Sequence, residues 1–134
     1  MAGLNDANVR GLLEQPNHAV VSTYNENGSI HSAVIWIALE DDRTVSINSA
    51  VGRLWPTNLQ RDPRVTLLVQ EEHNNADNYV EIRGTADATT DGADEHIDRL
   101  SKKYIGQDEY PYRRPGEQRI KFVVTPTHVR HYNQ

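Results

Sequence analysis

The stretch "GRLWPTNLQRDPRV", Gly52 to Val65, stands between two apolar, strand-like runs. Its first half offers one arginine, an indole and a proline, and its second half reads as a short helix that stops at Pro63. Arg53 and Trp55 at the mouth of a helix between buried strands suit an anionic ligand lying against the protein. They equally suit a plain turn with a packing tryptophan.

Working outward, the run before it is "TVSINSA", Thr44 to Ala50, and the run after it is "RVTLLVQ", Arg64 to Gln70; both are predicted strands. Further back, "IHSAVIWIAL" is apolar almost without break from Ala33 to Leu39, so the pattern predicts a strand covered on both faces. A second subunit is the expected outer cover. Asn27-Gly28 predicts a hairpin joining it to Ala19–Tyr24, because both residues tolerate positive φ. Leu4 to Gln15 reads as a helix with Asn5 or Asp6 as N-cap, and Asp41-Asp42 as a turn.

On the C-terminal side, Tyr79 to Thr89 alternates and carries Gly84 mid-run, the mark of a bulge or bend. Ala93, Ile97, Leu100 and Tyr104 recur at helical spacing between an Asp91 N-cap and a Gly106 C-cap. "DEYPYRRPGEQ" is an irregular loop, and "RIKFVVT" and "HVRHYNQ" are two closing strands split by Pro126. About seven strands in hairpin order with three helices predict a short antiparallel barrel, one domain over residues 1–134.

Composition narrows the functions. With no cysteine, disulfides, thiolate metal sites and cysteine nucleophiles are excluded. A net charge of -5 repels nucleic-acid phosphates on average, so an anion site must be local. No apolar run approaches the roughly 20 residues that span a bilayer, and the N-terminus lacks a secretory layout, which suits a cytoplasmic protein. His128 and His131 are three apart in a strand and point to opposite faces, His73 lies in a polar loop, and only His31 is placed to meet a substrate. Neither a glycine-rich phosphate loop nor a nucleophile elbow occurs.

The hairpin at Asn27-Gly28, the strand ending in Trp36, "NSAVGR…NLQRDPRVTL" and "RIKFVVTPTHVRHY" together resemble the split β-barrel flavin-binding family that includes the pyridoxamine 5′-phosphate oxidases. The likeness runs from about Val9 to Tyr132 and is nearest to the branch of deazaflavin-dependent oxidoreductases that use coenzyme F420. It implies a homodimer with two cofactor sites between subunits. It implies phosphate contacts from Asn48, Ser49, Gly52 and Arg53, with Asn58 nearby, and a ring lying along Ser32, Val34, Ile35 and Trp36. Gln70 and the loop residues Tyr112, Arg113 and Arg114 are further candidates, the loop being able to meet an acidic tail. Where relatives carry more basic residues this chain has Trp55 and Thr57, and Trp55 could stack on the cofactor. The implied activity is hydride transfer between F420 and a small conjugated substrate, with no side chain singled out as obligatory acid or base. The alternatives are an FMN-dependent enzyme of the same fold, or a non-catalytic flavin or haem carrier.

Overall fold

The computed structural model describes residues 3–73 and 75–133. Its elements in chain order are α1 (Ala7–Glu14), β1 (Ala19–Tyr24), β2 (Ile30–Ile35), β3 (Ile37–Leu39), β4 (Val45–Ala50), α2 (Leu54–Arg61), β5 (Arg64–Gln70), β6 (Asn78–Thr89), α3 (Ala93–Ile105) and β7 (Arg119–Asn133). The strands form one antiparallel sheet in the order β2-β1-β5-β6-β7-β4-β3. Its two edge strands, β2 and β3, are joined through the single residue Trp36. The sheet therefore curls until its edges nearly meet, the geometry of a split β-barrel. Its interior is filled by Val21, Ile47, Leu67, Ile82 and Phe122, all fully buried.

Local chemistry explains the elements. Asp6 caps α1 by accepting from Asn8 and Val9 N–H, and Val9, Leu12 and Leu13 then face the core. The β1–β2 turn closes as Gly28 N–H returns to the Asn25 carbonyl across 2.9 Å, with Gly28 at φ 86°. Asn27 keeps negative φ, and its side chain accepts from Ser29 N–H to brace the turn. α3 begins at Gly92, in the left-handed region at φ 71°, rather than at a capping Asp91, and ends as expected at Gly106.

Two differences from the sequence reading cancel in the strand count. The single strand expected over "IHSAVIWIAL" breaks at Trp36, because Ile37 N–H donates to Tyr104 Oη across 3.1 Å and the Trp36 ring stacks on Tyr104. The two strands expected around Pro126 are one, β7. Pro126, which has no N–H to offer, lies opposite Gly84 where the β6–β7 register shifts, so the ladder loses nothing there. A Cβ on Gly84 would meet the Thr125 carbonyl oxygen at 2.2 Å. β2 is likewise not covered on both faces within one chain: Ile30 and Val34 are 65% and 69% exposed.

Candidate functional site

A groove of about 420 Å³ opens beside Trp36, between the end of β2, the end of β4, the start of α2 and the face of α3. Val34, Ile35, Trp36, Asn48, Ser49, Arg53, Trp55 and Tyr112 contribute to its lining, eight of the residues expected from sequence. His18, Tyr110 and Arg119, which the sequence reading did not single out, line it too.

The aromatic wall is built around Tyr104. Its hydroxyl donates to the Asn17 carbonyl at 2.6 Å, its ring stacks on Trp36 at 5.2 Å and 8°, and His18 tilts against it at 5.3 Å. Tyr110 meets the Trp36 ring edge-on at 6.0 Å. Trp55 is first a core residue, 6% exposed and packed on Phe122, and contributes only part of itself to the groove.

The polar wall is a connected chain. Arg119, buried at the start of β7, donates through Nε to Asn48 Oδ1 at 3.0 Å and through Nη1 to Glu117 Oε1 at 2.7 Å, and its guanidinium lies over the Tyr110 ring. Arg53, the half-exposed N-cap of α2, approaches the other oxygen of Glu117 at 3.5 Å. The Asn48 amide spends its hydrogens on the Ala93 carbonyl and on His96 Nδ1, both at 2.9 Å. His96 Nε2 then donates to Ser46 Oγ at 2.7 Å, and Ser46 donates to Glu40. His96 is therefore held neutral. Burial, followed by the Lys121 and Arg99 charges, pushes its pKa down to about 4.

Asn48 thus has no donor left for a phosphate; it orients Arg119 instead. Other expected contacts lie away from the groove. Asn58 ties α2 to β1 by donating to Thr23 and Asn25. Gln70 donates to the Ala76 carbonyl at the far end of β5. Ser32 faces outward and bonds Ser22. Gly52 supplies the positive φ, 98°, of the turn into α2 and does not line the groove. Arg113 is paired with Asp98 at 3.0 Å and Asp94 at 3.5 Å, so its charge is already met within its own loop and α3. His31 does not line the groove. His128 and His131 turn to different partners, Glu81 and Asn78.

A curled seven-stranded antiparallel sheet with this mixed aromatic and cationic groove is a recognisable arrangement, and the pyridoxamine 5′-phosphate oxidase profile matches residues 6–133. The chain belongs to the pyridoxamine 5′-phosphate oxidase family. Among solved structures, an F420 reductase shares its fold with a TM-score of 0.77 at 24% identity, over 90% of this chain and 94% of that one. A conserved hypothetical protein from Mycobacterium tuberculosis gives 0.74 at 18% identity, over 96% and 84%. The General Stress Protein 26 from Bacillus anthracis gives 0.68 at 16%, over 93% and 91%. No curated protein matches the chain significantly. Membership of the pyridoxamine 5′-phosphate oxidase family places the chain in a superfamily of flavin-type oxidoreductases. Among the described residues no helix is long and apolar enough to cross a membrane.

Proposed function

We propose that this chain is an oxidoreductase that moves hydride between coenzyme F420 and a small conjugated acceptor, with the cofactor seated in the Trp36–Arg119 groove. The carrying observation is the groove's composition. Aromatic and apolar side chains at Val34, Ile35 and Trp36 adjoin two guanidiniums, Arg53 and Arg119. That donor set fits a flat, mostly apolar ring with an anionic arm. The likeness to an F420 reductase supports F420 over other flavin-type cofactors.

When bound, such a cofactor supplies the hydride donor or acceptor. The residues of this chain bind, orient and exclude water. Arg53 and Arg119 hold the phosphate, and the small Ser49 lets it approach the backbone. β2 is an edge strand, so its unpaired backbone groups can meet the ring's polar rim. Trp36, fixed by Tyr104, closes one end of the ring site. No side chain in the groove is singled out as an obligatory acid or base; solvent or a nearby polar side chain supplies the acceptor's proton.

The second wall comes from a second copy of the chain. Val34, Val20 and Leu68 are register neighbours across β2, β1 and β5 on the outer face, and Ile30 lies on the same face beyond the polar row of Ser32, Ser22 and Thr66. Of these, Ile30, Val34 and Leu68 are exposed large hydrophobics. Pairing two such faces would cover them and close the groove, with Tyr112, 63% exposed in one chain, available to the neighbouring site.

The test is a fluorescence titration with F420 and, separately, with FMN. Tight binding of F420, followed by acceptor-dependent oxidation of its reduced form, is expected. Tight binding of FMN alone would move the protein to the flavin-using branch, and binding without any turnover would make it a carrier.

A further inference from the structure

Glu117 is an unexpected neighbour for a phosphate site. Its side chain is only 7% exposed, and its two oxygens are shared between the two guanidiniums of the groove: Arg119 at 2.7 Å and Arg53 at 3.5 Å. Two cations and one fixed carboxylate leave the subsite with a single net positive charge. His18, the other basic side chain lining the groove, turns to Glu72 at 2.8 Å rather than to Glu117. Asn48 and the Tyr110 ring, which also contact Arg119, are neutral.

We propose that Glu117 sets the charge of this subsite so that it accepts a singly charged phosphodiester and disfavours a doubly charged phosphomonoester. The inference rests on reading the groove as a flavin-type cofactor site, and it selects within that class. A phosphodiester carries one negative charge, which the net positive charge of the trio neutralises. A terminal phosphomonoester carries between one and a half and two negative charges near neutral pH. Its second charge would face the Glu117 carboxylate with no cation to spare, in a partly desolvated site where like charges repel strongly. Coenzyme F420 presents its phosphate as a diester, and FMN presents a monoester. Glu117 would then be a specificity-determining residue acting through repulsion of the wrong ligand as much as attraction of the right one.

The experiment follows the fluorescence of Trp36 and Trp55 while unmodified protein and Glu117→Gln are titrated with methyl phenyl phosphate, a diester, and phenyl phosphate, a monoester. FMN and riboflavin are titrated in parallel. Unmodified protein should bind the diester more tightly than the monoester, and FMN no more tightly than riboflavin. In Glu117→Gln the order of the two esters should reverse and FMN should gain about tenfold over riboflavin. A preference of the unmodified protein for the monoester, or no response to either ester, would overturn the proposal whether or not the variant folds. An unchanged order in a folded Glu117→Gln would overturn it as well. If the ester preference holds while neither F420 nor FMN binds, the cofactor reading fails and the charge assignment survives. If F420 binds and the monoester is still preferred, the reverse is true.

Discussion

Arg119 Nε donates to Asn48 Oδ1 across 3.0 Å, joining adjacent strands β7 and β4 at the wall of the groove. With Glu117 on its other side, this guanidinium is fixed from two directions before any ligand arrives. Arg53, by contrast, is half exposed and held at one point. The two arginines should therefore fail differently. Arg119→Ala strands a buried carboxylate and a buried amide oxygen, so it should cost about 3 kcal/mol in chemical denaturation as well as abolish cofactor binding. Arg53→Ala should cost under about 1 kcal/mol of stability yet weaken anionic cofactor binding at least about tenfold. Equal loss of stability in both variants would contradict the assignment.

His96 makes the protein sensitive to acid. Its pKa falls from 6.5 to about 4 on folding, chiefly through burial. The unfolded chain therefore takes up the proton first, and stability is lost as pH falls from about 6.5 toward 4. The contribution is on the order of 3 kcal/mol. Urea denaturation of the parent and His96→Gln across that window should show a steeper decline in the parent.

Lys103 acts at the alkaline end. Burial lowers its pKa from 10.5 to about 8, while its ammonium donates to the Leu13 and Ile37 carbonyls. The unfolded chain keeps that proton longer, so this group makes stability rise as pH climbs from 8 toward 10.5. Lys103→Met should flatten that rise in melts at alkaline pH.

How far these features could be read in advance depends on whether the signal was local. α1, β1, β5 and the C-cap at Gly106 follow from caps and alternation, and the sequence reading placed them closely. The break at Trp36 and the continuity through Pro126 depend on Tyr104 and Gly84, far away in the chain, and periodicity carries no trace of either. In the site, Arg53 announced itself at a helix start. Arg119 looked like an ordinary first residue of a strand; only its pairing opposite Ala50 brings it to the groove. Its one signal was a charge opening a mostly apolar run. Asn48 was expected at the site and lies there, but as the support for that arginine.

Gly84→Ala should be among the most damaging small substitutions. The added methyl would overlap the Thr125 carbonyl oxygen, and only a shift of β7 relieves it. A loss of about 3 kcal/mol is expected from thermal melts. A loss below about 1 kcal/mol would mean that the β6–β7 bulge is easily remodelled.

Val34→Asp tests the outer face. At 69% exposure in one chain the carboxylate costs little in a monomer, but it would be trapped in an apolar dimer contact. Analytical ultracentrifugation should show a dimer for the parent and a monomer for the variant, with weaker cofactor binding in the latter. A dimer persisting in Val34→Asp would place the interface elsewhere.

The most direct test of the central claim is a crystal structure of the protein grown with coenzyme F420. Ring density is expected along Val34 to Trp36, with phosphate density within hydrogen-bond reach of Arg53 and Arg119. Ordered cofactor bound anywhere else, with both guanidiniums making no contact to it, would contradict the assignment.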